Sequence, residues 1–296
     1  MKNGIIPVNK PQGFTSFDVI AKMRGILKTK KLGHAGTLDP MATGVLPVFV
    51  GTATKACDIL PDNDKAYKAE FVLGKKTNTG DITGKVTKEK DCSDFSEKDI
   101  LSALPNFTGE IMQVPPMYSA VSVGGKRLYE LARKGIEIER EPRKIEVFSL
   151  RLISFDENEK KGELYIECSK GTYIRTLIED IAESFGAVAT MTALCRVKAS
   201  GFDISECITL EELSAMEDFS EVITPIERVF SYLPKVTLNE AQTRMYKNGI
   251  RLSLSRIKNL PQGDCLAVFG GKEFLGTALA DREKGELIIA KNFYDR

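Results

Sequence analysis

The sequence lacks most of the signatures by which common enzyme and export classes announce themselves. It has one histidine, His34, and six cysteines (Cys57, Cys92, Cys168, Cys195, Cys207, Cys265) with no Cys-x-x-Cys pair. Zinc-ligand spacing is therefore absent, and reduced, mostly buried thiols are the default. No Gly-x-x-x-x-Gly-Lys-Ser/Thr occurs, since Gly125-Lys126 is followed by Arg127 and Ala120 stands where the first glycine belongs. A P-loop is excluded. No Gly-x-Ser-x-Gly elbow exists to supply a nucleophilic serine, so a hydrolase triad has no support. The longest uncharged stretches, Met41 to Thr54 and Ile111 to Gly125, are broken by Gly and Pro and fall short of the roughly 18 residues of a membrane helix. Met1 to Val8 holds no apolar run of the kind a secretory signal needs. A soluble cytoplasmic protein is expected, and neither a repeat nor a low-complexity tract is present.

An excess of charge is also missing: Lys and Arg total 42 against 41 for Asp and Glu. A basic coat over the whole surface is thereby ruled out. The distribution is uneven, however. Ala21 to Lys31 carries five bases and no acid, whereas Gly201 to Phe230 carries eight acids and Arg228 alone. Either run reads as a solvated surface, or one face attracts phosphates.

What is present suffices for a folded chain of 296 residues, 42% hydrophobic and 28% charged, with room for a large domain and a small one. Ile5 to Asn9 reads as a strand, and Ser16 as the cap of a helix whose Val19, Ile20, Met23 and Leu27 share a face. Lys28 to Pro40 has no apolar period and reads as a loop. Val45 to Gly51 follows as a buried strand, Lys65 to Gly74 as another, and Lys75 to Gly84 as a turn-rich connection. Ser96 caps a helix ending before Pro105, and Arg127 to Lys134 forms a short one stopped by Gly135. Leu164, Ile166 and Cys168 alternate as in a half-buried strand. From Ile174 to Phe185 the period becomes helical, with Gly186 as the C-cap. Leu233-Pro234 marks a candidate boundary, which divides the chain into residues 1–232 and 233–296. Beyond it a helix (Asn239 to Asn248) and short strands at Leu266 to Phe269, Phe274 to Leu279 and Leu287 to Ile289 make a small β-rich module.

Three places carry chemistry. Asp39 precedes Pro40 in a loop containing Gly33, Gly36 and Gly44. An Asp-Pro pair is ordinarily a turn, but glycines admit close approach of backbone to a ligand, and Pro40 restricts Asp39 to an extended conformation that aims its carboxylate outward. Tyr67, between Lys65 and Lys68, reads either as a core aromatic or as a stacking platform for a base. Tyr173 and Arg175 straddle the buried Ile174, where an arginine requires an acid or a ligand as partner.

Together these segments resemble the bacterial tRNA pseudouridine-55 synthase family, the TruB type. The residues that carry the resemblance are Asn9-Lys10-Pro11-x-Gly13-x-Thr15-Ser16, Lys31-Leu32-Gly33-His34-Ala35-Gly36-Thr37-Leu38-Asp39-Pro40-x-Ala42-x-Gly44-Val45-Leu46, Lys65-x-Tyr67 and Gln113-Val114-Pro115-Pro116-Met117-Tyr118-Ser119-Ala120. Gly124 to Arg133, Gly171-Thr172-Tyr173-Ile174-Arg175 and Leu194-x-Arg196 continue it in order. The resemblance implies an α+β fold, a mixed and largely antiparallel central sheet flanked by helices, followed by a small β-rich PUA-like RNA-binding domain.

It also implies Asp39 as the nucleophile, Arg175 as the partner that holds it ionised, and Tyr67 stacked on the target uracil. Tyr173 and Leu194 would line the pocket, and His34 would fill the space left when the base flips out of the RNA. Lys10, Lys31 and Lys126 are expected among the substrate-binding residues, with Lys10 and Pro11 also supporting the loop from behind. The implied partner is the T-arm of tRNA, acted on by a monomer with no obligate protein partner, no membrane, no metal and no cofactor. Asn78, Ser122 and Met41 depart from the family pattern, which bears on details of RNA contact. Two other readings are a non-catalytic tRNA-binding or folding factor and a guide-RNA-dependent relative. Terminal extensions usual in the latter are not expected here.

Overall fold

The computed structural model describes residues 3–60 and 64–294. Strands β1 (Gly4–Lys10) and β3 (Thr43–Val50) are almost continuously apolar and pair antiparallel from Gly4↔Val50 to Lys10↔Gly44. Such strands need cover on both faces. On one face Ile6, Val8, Leu46 and Val48 pack with Val19, Ile20, Met23 and Leu27 of helix α1 (Ser16–Leu27). On the other, Ile5, Val45 and Phe49 meet Phe202, Phe230, Phe274 and Phe293.

The cap of α1 is Thr15, one residue before the expected Ser16. Thr15 Oγ1 accepts from Asp18 N at 3.0 Å while Asp18 Oδ2 accepts from Thr15 N at 2.8 Å. This reciprocal capping box releases the Ser16 hydroxyl, which lies buried against the loop before β3. Part of the segment expected as a loop is a strand: β2 (Leu32–His34) pairs antiparallel with Val48–Val50 of β3. Three residues with a central glycine carry no readable period, which is why pattern alone misses it.

The central sheet runs β1, β3, Ala189–Ala199, β4 (Lys65–Leu73), Lys161–Cys168, Arg143–Asp156 and Gly109–Gln113. Every pairing along this path is antiparallel except that of β3 with Ala189–Ala199. Helix Ile174–Ser184 buries Ile174, Leu177, Ile178 and Ile181 among residues of the sheet that include Ala69, Phe71, Leu164 and Met191. From Lys235 onward a five-stranded sheet, one helix (Glu240–Lys247, capped by Asn239) and a core around Val236, Tyr246, Leu266 and Leu275 form a second unit. It is fastened to the first through the phenylalanine cluster and through Thr52 Oγ1, which donates to Phe293 O at 2.6 Å. The architecture is α+β, a mixed sheet followed by a small β-rich unit. No helix among the described residues is long and apolar enough to cross a membrane.

The parallel contact depends on Gly44. Its φ is +102°, and a Cβ there would lie 2.2 Å from Arg196 O. Gly44→Ala is therefore expected to lower stability by roughly 2–4 kcal/mol through backbone strain and strand separation. Urea unfolding checks this, and an unchanged midpoint would show that the two strands part without cost.

Candidate active site

The loop between β2 and β3 is pinned on both sides of Asp39. Leu38 N donates to Ser16 Oγ at 2.9 Å, Gly13 N to Pro40 O at 2.8 Å, and Ala42 N to Asp39 O at 3.0 Å. Leu38 and Met41 are buried, whereas the Asp39 side chain keeps 41% of its surface. Backbone and apolar side chains are thus committed to the protein, and the carboxylate faces outward. Lys10 stands behind the loop with no exposure, its ammonium donating to Phe14 O at 2.6 Å, Pro11 O at 2.9 Å and Pro40 O at 3.4 Å. Burial pushes its pKa down to about 8, with Asp39 opposing and Arg196 adding to the fall. Its charge is spent on the loop, so it presents nothing to a cavity.

Gly36 lines a cavity together with Asp39 and Tyr67, and the loop glycines are also packed against the rest of the protein. A Cβ on Gly36 would meet Arg196 Nη1 at 3.2 Å, one on Gly33 would meet Cys57 Sγ at 3.2 Å, and Gly44 abuts strand Ala189–Ala199. All three make room for other parts of the protein.

Arg175, the second residue of helix Ile174–Ser184, is 6% exposed. Its Nη2 lies 2.9 Å from Asp39 Oδ2 and donates to Tyr118 O at 2.9 Å. Its Nη1 donates to Thr79 O at 2.7 Å and lies 3.7 Å from Asp81 Oδ2. The acid partner that burial demands is therefore double. Asp81 carries no sequence signal beyond a turn-rich segment. It is buried, accepts from Thr79 Oγ1 at 2.9 Å, Thr83 N at 3.0 Å and Thr83 Oγ1 at 2.5 Å, and sits where its segment bridges to Met191 of the sheet. Gln113 also escapes a role in the sequence reading. It clamps the start of the Arg175 helix, accepting from Tyr173 N at 2.8 Å and donating to Tyr173 O at 3.1 Å.

Tyr67 of β4 is 7% exposed and stands opposite Arg196 in the strand register. Burial drives its phenol up to about 12 against the pull of Arg196. Arg196, with no exposure, donates to Val45 O at 2.8 Å and Gly36 O at 2.9 Å, and so ties the loop to the sheet. Asp39, Tyr67, Tyr173, Arg175 and Leu194 line one cavity of about 390 Å³. A larger groove of about 710 Å³ shares Asp39 and Arg175 and adds Phe17, His34, Tyr129 and Arg133. Burial, then Arg196, lowers the pKa of His34, so its ring is neutral at neutral pH. Lys31 and Lys126 are exposed and line neither space. Met41 packs in the core, Asn78 Oδ1 accepts from Lys85 N at 2.8 Å, and Ser122 lies in an exposed hairpin with Lys126. Among the described residues no cluster of three or more His, Cys, Asp or Glu is placed to hold a metal ion.

With that geometry in place, comparison with known proteins is direct. Residues 24–174 match the model of the TruB family pseudouridylate synthase N-terminal domain, and residues 175–231 that of the tRNA pseudouridylate synthase B C-terminal domain. The tRNA pseudouridine synthase B of Clostridium tetani (strain Massachusetts / E88) is 42% identical over 287 residues, covering 97% of this chain and 98% of the relative. That of Oenococcus oeni (strain ATCC BAA-331 / PSU-1) is 45% identical over 274 residues, 87% and 90% of the two chains. Among solved structures, the crystal structure of a Cbf5-Nop10-Gar1 complex superposes with a TM-score of 0.75 at 27% identity, covering 99% of this chain and 85% of that one.

The buried ammonium of Lys10 gives a pH test. Below pH 8 folded and unfolded chains both hold its proton, and above the ordinary value of 10.5 neither does. In between the unfolded chain binds more protons, so raising the pH favours the fold. The unfolding free energy, taken relative to Lys10→Met to remove tyrosine and cysteine titrations, should rise by on the order of 3 kcal/mol from pH 8 to 10.5. A flat difference in denaturant titrations would mean that the ammonium is not desolvated.

Proposed function

The chain belongs to the TruB family of pseudouridylate synthases, and from that premise we propose that it isomerises the T-loop uridine of tRNA, the position that gives the family its number, to pseudouridine. The observation that carries this reading is the ion pair between Asp39 and the buried Arg175 on the wall of the cavity that holds Tyr67. A carboxylate held 2.9 Å from a fixed guanidinium is aimed before substrate arrives, as a nucleophile must be.

In the reaction the N1–C1′ bond of uridine breaks, the uracil turns within the cavity and C5 bonds to C1′. The proton on C5 departs and N1 gains one, so substrate and product are isomers and no electrons are exchanged with a cofactor. Asp39 promotes the cleavage. Tyr67, whose phenol stays neutral throughout the physiological range because burial raises it to about 12, stacks on the ring. Tyr173 and Leu194 close the sides, which matters because a detached uracil must be retained. The target lies within RNA structure and has to be flipped out, and the neutral His34 takes the vacated space. Residues 1–232 act as the catalytic domain and residues 233–296 as a PUA-like RNA-binding domain of a monomeric cytoplasmic enzyme.

Tritium release from an unguided tRNA transcript carrying 5-tritiated uridine tests the proposal. The protein should release tritium, and Asp39→Ala should release it more than about 10³-fold more slowly while binding tRNA within a few-fold of the parent. Full turnover by Asp39→Ala removes the nucleophile from the scheme. Improved tRNA folding with no pseudouridine formed would favour a folding factor.

A further inference from the structure

Ser119 is buried at the site without a task in this scheme. It is 5% exposed, and its hydroxyl has no hydrogen-bond partner among the described residues. Three successive carbonyls around it are engaged. Tyr118 O accepts from Arg175 Nη2 at 2.9 Å, Ser119 O from Tyr129 N at 3.1 Å, and Ala120 O from Arg127 Nη1. The residue is thus fixed by its neighbours while its own oxygen is left over. A buried hydroxyl without a partner destabilises a fold, and alanine would avoid the penalty.

Its position gives the unpaired oxygen a use. Ser119 lines both the cavity of Tyr67 and Leu194 and the groove of His34 and Tyr129, on the wall that Asp39 and Arg175 also share. A flipped nucleotide puts its base in the first space and leaves the flanking strand in the second. What crosses the common wall is that nucleotide's own ribose and phosphates. Rotation about the Cα–Cβ bond between staggered wells is enough to turn a serine oxygen toward such a group.

We propose that Ser119 is a substrate-binding residue whose hydroxyl, unpaired in the free enzyme, donates to a ribose–phosphate oxygen of the flipped nucleotide. This rests on the pseudouridine-forming reaction proposed above. Storing an unsatisfied group in the free protein and satisfying it on binding makes the contact a source of selectivity for a correctly seated nucleotide.

The test compares the parent and Ser119→Ala on a tRNA transcript. The variant should lose about 10- to 100-fold in kcat/KM, while its thermal midpoint stays unchanged or rises, because alanine removes an unpaired hydroxyl and no bond. A serine serving the fold would lower the midpoint, and that result overturns the proposal. So does a kcat/KM equal to the parent's. Transcripts with a 2′-deoxy target, or with a methylphosphonate on its 5′ or 3′ side, locate the acceptor. On the transcript that lacks it the parent should fall to the variant's level and the variant should fall no further. Independent losses on all three transcripts would refute the contact. Turnover of the unaltered transcript by the parent tests the reaction separately. Should the parent prove inactive, tRNA affinity decides: weaker binding by Ser119→Ala supports the contact, and equal binding refutes it.

Discussion

A guanidinium at 6% exposure is the constraint around which the site is arranged. Arg175 cannot remain buried without counter-charge, and its fork of donors fixes where that charge must lie. Four groups from three separate segments answer it: Asp39, Asp81 and Thr79 O of one turn, and Tyr118 O. From outside, the Asp39 loop is held again by Ser16 and Lys10, the Asp81 turn by its bridge to Met191, and the start of the Arg175 helix by Gln113. Asp39 is the member of this set whose carboxylate keeps substantial access to a cavity. Asp81, at 5% exposure, supplies Arg175 with a second counter-charge that does not depend on Asp39.

The elements with a single strong period were readable in the chain. The β1 and β3 strands, the alternation of Leu164, Ile166 and Cys168, the helix after Ile174 and the capped helix at Asn239 all follow from apolar spacing and end signals. Two principal strands were not. Arg143–Asp156 slips register between Val147 and Ser149 and again between Leu152 and Ser154. Ala189–Ala199 slips between Met191 and Ala193 and between Arg196 and Lys198. Each bulge reverses which parity of residue faces inward, so the two-residue period cancels over the length of the strand. Sheet order is set by pairings between distant segments and has no local trace.

The site divides in the same way. That Arg175 needs an acid partner could be argued from its place beside the buried Ile174, but that the partner is Asp39 came from the family resemblance alone. Asp81 was illegible because Thr-Asn-Thr-Gly-Asp reads as a surface turn. Its burial depends on a bridge to a strand more than a hundred residues further on. The glycines of the loop were legible as necessary and illegible in purpose, since a missing Cβ looks the same whether a ligand or an arginine fills the space.

The second buried arginine explains how a chain of nearly balanced charge presents itself to RNA. Arg196 has no exposure and, unlike Arg175, holds backbone carbonyls in place of a carboxylate. Carbonyl dipoles stabilise a cation without cancelling it, so net positive charge persists beneath the cavity floor, where low surrounding polarity screens it weakly. Lys10 does the same behind the loop with three carbonyls. Attraction for a polyanion is thereby concentrated at the site rather than spread over the surface, which a total of 42 bases against 41 acids could not supply.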